Sequence, residues 1–224
     1  MIIAISGMIG SGKSTLTKNL NKHYKNSMML EEFSDDDPVF NNFLKWCYEK
    51  QPNIDIAFQS FIVESLTDLN KKAEKKFLKK YTHENGFLFL DRFILEHFIF
   101  AVVTLNKKPK KYLEAFEAMF DFIYDTDTAP DLSIYIKISW ETFKDRIFER
   151  GRQVEIDNFY LNESYFQELH KAYLSLFEKL VKKYKIPYVI INGDNKSDTE
   201  VADEAIKIID KYNWSKSKRI EALK

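Results

Sequence analysis

Residues 2–14, read as one unit, constrain this chain more than any other stretch. The apolar, strand-forming run Ile2 to Ser6 leads directly into Gly7-Met8-Ile9-Gly10-Ser11-Gly12-Lys13-Ser14, and a helical pattern follows over residues 14–24. This is G-x-x-x-x-G-K-[ST] in the strand–turn–helix context that gives the pattern its meaning. The glycines let the backbone curl so that amide hydrogens converge on phosphates. Lys13 neutralises the outer phosphates, and the Ser14 hydroxyl suits a magnesium ion. The candidate phosphate site is therefore Gly7, Met8, Ile9, Gly10, Ser11, Gly12, Lys13, Ser14 and Thr15, and the chain is expected to bind a nucleoside triphosphate.

The rest of the chain fits the same architecture. Apolar strand patterns recur at 27–32, 86–92, 132–138 and 188–192. Helical patterns lie between them, at about 37–50, 54–80, 94–105, 109–125, 140–150, 163–184 and 199–212. Asp37 before Pro38 reads as an N-cap followed by proline at the first helical position, and Ser197 with Glu200 reads as a capping box. Strands separated by helices imply an α/β domain: a P-loop NTPase-like, three-layer fold with a five-stranded parallel sheet and helices on both faces. The carboxyl ends of the strands then share one edge, where ligands of such sheets bind. No repeat or Pro/Gly/Ser linker divides the 224 residues, so a single domain over 1–224 is expected, with a C-terminal tail at about 213–224.

Composition narrows the function. Basic and acidic side chains balance at 34 each, which gives no sign of a nucleic-acid or membrane-surface partner. The single cysteine, Cys47, excludes an internal disulfide framework and fits a reducing compartment. No apolar run reaches the roughly 18–20 residues of a membrane helix. The N-terminus lacks the pattern of a signal peptide. A soluble, cytoplasmic protein is expected.

Arginine is scarce, with five against 29 lysines, and three of the five fall at Arg146, Arg150 and Arg152. Arg146 and Arg150 stand one helical turn apart, and like charges at that spacing repel. An anionic partner is therefore expected. A flap over about 146–160 bearing these planar, two-pronged groups would close on a triphosphate. Asp91-Arg92 closes a strand at the ligand edge, where the carboxylate can hold magnesium beside Ser14 and the arginine can steady a phosphate. Glu31-Glu32 closes the second strand, and one of the two can take a proton from an acceptor hydroxyl. Asn195-Lys196-Ser197-Asp198 matches a guanine-reading pattern in letters, but the Asp-x-x-Gly of a switch GTPase is absent. A polar loop feeding the helix cap is the plainer reading.

Taken together and in this order, the residues resemble the deoxynucleoside kinase family, bacterial deoxyadenosine/deoxyguanosine type, which is related to thymidylate kinase. "LEEF" stands where that family has Glu-Pro after the second strand, which makes Glu32 the equivalent of its catalytic glutamate, with Glu31 the alternative. "AFQSF" resembles its Phe-Gln motif, in which Gln59 would pair with the nucleobase. Tyr48 and Glu155 fall where the family contacts the sugar 3′-hydroxyl, and "DRF" stands for its Asp/Glu-Arg-Ser. "DRFILEHFIF" is similar to the purine-type Asp-Arg-Ser-Ile-Tyr-Glu-Asp, with Glu96 retained and His97 in place of the last aspartate. The resemblance implies transfer of the ATP γ-phosphoryl group to the 5′-hydroxyl of a deoxynucleoside, deoxyadenosine first. It implies Mg2+, Lys13 and the lid arginines on the phosphates, Arg92 at the reacting end, and a homodimer. The alternatives are a thymidylate-type monophosphate kinase, which would need more basic residues for its acceptor's phosphate, and a nucleotide-binding regulator.

Overall fold

Strands form mostly where β-branched, leucine and aromatic residues predominate, as expected for a parallel sheet, and the two edge strands are only partly buried. The strands are β1 (Ile2–Ser6), β2 (Ser27–Leu30), β3 (Phe87–Asp91), β4 (Leu132–Lys137) and β5 (Tyr188–Asn192). The computed structural model describes residues 1–31 and 37–221. Glu32, the expected base, lies outside the described residues together with Phe33, Ser34, Asp35 and Asp36.

All strand pairings are parallel, in the order β2-β3-β1-β4-β5. Ile5 pairs with Asp91 on one side and with Ile134 on the other, so β1 is central. Every residue of β1 is buried. Successive strand residues point to opposite faces, so both faces of the sheet are covered. The chain leaves β1 towards β2 and β3 on one side and later places β4 and β5 on the other. The loop after β1 therefore sits at the switch point of strand order, where ligands of open α/β sheets bind.

The helices are α1 (Lys13–His23), α2 (Pro38–Tyr48), α3 (Asp55–Leu78), α4 (Ile94–Leu105), α5 (Lys111–Ile123), α6 (Trp140–Arg150), α7 (Gln153–Lys183), α8 (Asp198–Lys211) and the short α9 (Lys218–Glu221). Helix α1 packs on the sheet and against α8, whereas α4 packs against α3, α5 and α7. The Asp37 carboxylate caps α2 by accepting from the Val39 and Phe40 amides. The capping box of Ser197 and Glu200 opens α8. Lys196 pairs there with Glu204, so the Asn-Lys-x-Asp letters belong to a helix entry.

Three expectations change. Strand β2 ends at Leu30, so Glu31 stands beyond it. Helix α7 begins at Gln153 rather than near 163, and the expected flap is two helices joined at Gly151 and Arg152. Gly151 has φ 71°, the left-handed conformation that ends a helix at least cost to glycine. Of the expected C-terminal tail, residues 213–221 fold back on the domain. Arg219 donates to the Ala129 and Asp127 carbonyls at 2.7 Å each and to Glu74 and Asp131 at 3.3 and 3.4 Å.

Candidate active site

The turn between β1 and α1 is built by its glycines. Gly7 has φ 142°, and a Cβ there would lie 2.7 Å from the Ile136 carbonyl oxygen and from Ser11 Oγ, closer than real Cβ atoms come. Gly12 has φ 92° and stands at the N-terminus of α1, which has neither a side-chain cap nor an acidic residue in its first turn. The amides of that turn are left to an anion, and the helix dipole favours one. Lys13 is buried, and its Nζ donates to the Met8 carbonyl at 3.0 Å. Met8 belongs to the hydrophobic core, so this position offers phosphate its backbone alone.

Beside the loop lies a cavity of about 340 Å3, within the range of small-molecule sites. Lys13, Ser14, Asp91, Arg92, Arg150 and Arg152 line its charged part. Tyr48, Gln59, His97 and Glu155 line the remainder, with an apolar wall that includes Phe40, Phe58, Phe100 and Tyr165. The sequence separated these residues by more than a hundred positions, and the sheet and helices gather them.

Each reaches the cavity from a defined element. Asp91 is the last residue of β3. Arg92 follows it with φ 67°, a conformation costly for a non-glycine residue, and its amide is held by the Ile5 carbonyl at 2.9 Å. The guanidinium lies 4.9 Å from the centre of the Phe100 ring, a cation–π distance. Gln59, on α3, is 3% exposed, and its Oε1 has no hydrogen-bond partner among the described residues. His97, on α4, stacks on Phe100 with ring centres 5.8 Å apart. Tyr48 ends α2, and its backbone carbonyl accepts from buried Asn162 of α7 at 2.9 Å. Burial, and after it the Glu155 carboxylate, pushes the Tyr48 phenol well above its ordinary pKa and keeps its proton on. Burial likewise pushes the neighbouring Cys47 thiol up to about 12.

The three arginines of the expected lid divide. Arg150 and Arg152 both pair with Glu155, a residue only 2% exposed. Arg146 is not at the cavity wall. It donates to the Ser11 carbonyl at 3.0 Å and the Gly193 carbonyl at 2.9 Å, tying the phosphate loop to the turn after β5. Glu96, expected to touch substrate, is fully buried and also away from the wall; it accepts from the Gly7 amide at 2.9 Å. Glu31 does line the cavity, in an ion pair of 3.2 Å with Lys18. Sequence reading missed Lys18, Phe100 and Tyr165. A lysine on α1 and aromatics inside apolar helix patterns read as surface and core, and only their place in the fold brings them to the cavity.

A parallel sheet with a phosphate loop at its switch point, and a second, aromatic-walled chamber beside that loop, defines the class of phosphoryl-transferring P-loop kinases. Residues 3–213 match the family described as Deoxynucleoside kinase. The deoxyadenosine/deoxycytidine kinase of Bacillus subtilis (strain 168) is 31% identical over 224 aligned positions, covering 93% of each chain. The deoxyguanosine kinase of the same organism is 29% identical, covering 88% of this chain and 92% of that one. A solved structure of deoxyadenosine kinase from M. mycoides, with dCMP and dCDP bound, superposes with a TM-score of 0.77 at 20% identity, covering 95% of this chain and all of that one; it shows the fold. The chain belongs to the deoxynucleoside kinase family, whose members are ATP-dependent phosphotransferases. Among the described residues no helix is long and apolar enough to cross a membrane.

Proposed function

We propose that this cavity transfers the γ-phosphoryl group of ATP to the 5′-hydroxyl of a purine deoxynucleoside, deoxyadenosine first, in cytoplasmic nucleotide salvage. The observation that carries the reading is Gln59. A carbonyl oxygen buried without a partner costs roughly 1–3 kcal/mol, and Gln59 lines the same cavity as Lys13 and Asp91. A nucleobase N–H matches the oxygen, and the amide's own N–H matches a ring nitrogen, so one side chain reads a base edge at two points. Phe58 and Phe100 supply apolar walls for the base. Tyr48 and Glu155 sit together where a sugar hydroxyl would need a donor and an acceptor.

On the donor side the loop amides and Lys13 hold the phosphates, with Arg150 and Arg152 exchanging Glu155 for the transferring group as the lid closes. Positioning and charge stabilisation supply most of the rate in such transfers. Glu32 is the proposed base, with Glu31 the alternative. The 5′-oxygen bonds to the γ-phosphorus while its proton passes to the carboxylate. The bond from phosphorus to the β,γ-bridging oxygen breaks and leaves ADP. Arg92 steadies charge at the reacting end.

Magnesium belongs to the same proposal. The Ser14 hydroxyl and the Asp91 carboxylate line one cavity beside the phosphate loop, an all-oxygen donor pair of the kind Mg2+ takes when phosphates and water complete its shell. When bound, the ion neutralises charge on the phosphates. The homodimer is proposed on the family resemblance, and sedimentation velocity measures it.

Two variants test whether one cavity holds both substrates. Lys13→Ala should cut kcat by about 100-fold or more, because a charge facing the transferring phosphates is lost, and should leave deoxynucleoside binding within a few-fold of wild type. Gln59→Ala should leave ATP binding unchanged and lower kcat/KM for the deoxynucleoside by about 100-fold. If the Gln59 variant keeps its kcat/KM, the base does not sit against α3.

A further inference from the structure

Arg92 and Gly7 meet in a buried cluster through two residues, Glu96 and Tyr173, that the proposed reaction does not use. Glu96, in the first turn of α4, is fully buried, and Tyr173 of α7 is 1% exposed. One oxygen of Glu96, Oε2, accepts from the Gly7 amide at 2.9 Å and from the Tyr173 hydroxyl at 2.8 Å. The Tyr173 hydroxyl accepts in turn from Arg92 Nη1, which lies 3.8 Å from the same carboxylate oxygen. A phenol has one proton to give. With that proton on Glu96, its lone pairs face Arg92, so the direction of the relay is fixed. The other carboxylate oxygen, Oε1, has no hydrogen-bond partner among the described residues.

Such an arrangement is a poor way to stabilise a fold. Taking a carboxylate out of water costs several kcal/mol, and well-packed apolar residues of the same volume commonly serve as well or better. What the cluster does supply is geometry. The first glycine of the phosphate loop and the guanidinium at the acceptor end of the cavity are fixed to one carboxylate oxygen. Arg92 also depends on outside support, since its backbone holds the strained φ of 67°. Burial raises the Glu96 pKa, and the charges of Arg92 and Lys13 pull it back, so the carboxylate belongs to the electrostatics of both ends of the site.

We propose that Glu96 and Tyr173 are positioning residues for phosphoryl transfer, linking Gly7 of the phosphate loop to Arg92 so that donor phosphates and acceptor-side guanidinium keep one geometry. This rests on reading the cavity as the active site. Neither residue touches substrate; both act through Arg92 and the loop. Misplacement of a reacting group by about 1 Å can cost about 100-fold in rate.

The test uses Tyr173→Phe and Glu96→Gln in the full chain, with kcat, both KM values and the thermal midpoint measured beside wild type. Tyr173→Phe keeps the ring and removes the bridge. Glu96→Gln keeps an acceptor for Gly7 and removes the charge. The expected result is a kcat lower by about 10- to 100-fold, with KM for ATP and for the deoxynucleoside within about 3-fold of wild type and both variants folded. Loss of activity only in proportion to the unfolded fraction would make the pair structural and overturn the proposal, as would failure of both variants to fold. A folded variant with wild-type kcat would overturn it while leaving the kinase reading intact. A wild-type protein without acceptor-dependent turnover would remove both readings together.

Discussion

Glu96 separates stability from turnover at the scale of a single residue. Its carboxyl has a raised pKa in the folded chain, chiefly through burial, so the folded state holds the proton more tightly than the unfolded chain does. The stability it contributes is therefore greatest below the ordinary glutamate value, declines as pH rises through the raised value, and is flat above it. Glutamine at this position carries no such loss. Glu96→Gln should unfold at no lower a temperature than wild type at pH 7–8, and its midpoint should gain on wild type's as pH rises from 4 to 8. Calorimetry across pH 4–8 measures both. A midpoint well below wild type at pH 8 would mean that the ionised carboxylate stabilises the fold. Gln59 and Arg92 also carry a local cost at the cavity, a buried oxygen without a partner among the described residues in one and a strained backbone in the other. Such residues are hard to find from sequence alone. Gln59 was visible through its aromatic neighbours, whereas Tyr173 looks like any core aromatic on a long amphipathic helix until the fold brings it beneath Gly7.

Among the elements, α7 and the C-terminal segment depart furthest from the sequence pattern. The helical period was clear from Phe166 through Leu169, Tyr173 and Phe177 to Leu180, all buried. Toward the N-terminus the inward-facing positions become Asn162, Phe159 and Glu155, with a single apolar residue among them. Polar residues there break an apolar stripe, so a reading based on hydrophobic spacing starts the helix too late. Their burial is resolved only in three dimensions, Asn162 against the Tyr48 carbonyl and Glu155 against the lid arginines. Helix α7 therefore carries the lid's counter-charge at one end and the Tyr173 bridge farther along. The C-terminal segment gave no pattern because scattered side chains hold it: Trp214 packs on Phe87, Ser217 donates to Asp131, and Arg219 spans α3, the loop before β4, and β4's entry through Asp131. Arg219→Ala should destabilise the protein by about 2–3 kcal/mol, since several acceptors lose a charged donor at once. That corresponds to a midpoint lower by roughly 5–10 °C, with kcat per folded molecule unchanged. An unchanged midpoint in thermal denaturation would show that the segment is not anchored there.

For the whole molecule, the strand order does most of the functional work. The five strands and their parallel sense followed from apolar runs alternating with helical ones, whereas the order β2-β3-β1-β4-β5 is a finding of the structure. The same order sets β1 between β3 and β4 and so brings the phosphate loop beside Asp91 and Arg92, whose motifs lie about eighty residues away in sequence. What the sequence could not supply was which charged residues face the cavity and which serve the frame. Arg146 and Glu96 carry the letters of ligand contacts and act on the backbone of the loop instead, while Lys18 faces the cavity from an ordinary-looking helix. Distances of a few ångströms decide between those roles, and residue spacing along a chain does not encode them.

The most direct test is ATP consumption by the purified protein with Mg2+, offered each of the four deoxynucleosides and dTMP in turn, with the product identified. The expected result is strong stimulation by deoxyadenosine, weaker or no stimulation by the pyrimidines, no response to dTMP, and label from the γ-phosphate on the 5′-oxygen. Stimulation by dTMP alone, or a slow hydrolysis indifferent to every acceptor, would contradict the account.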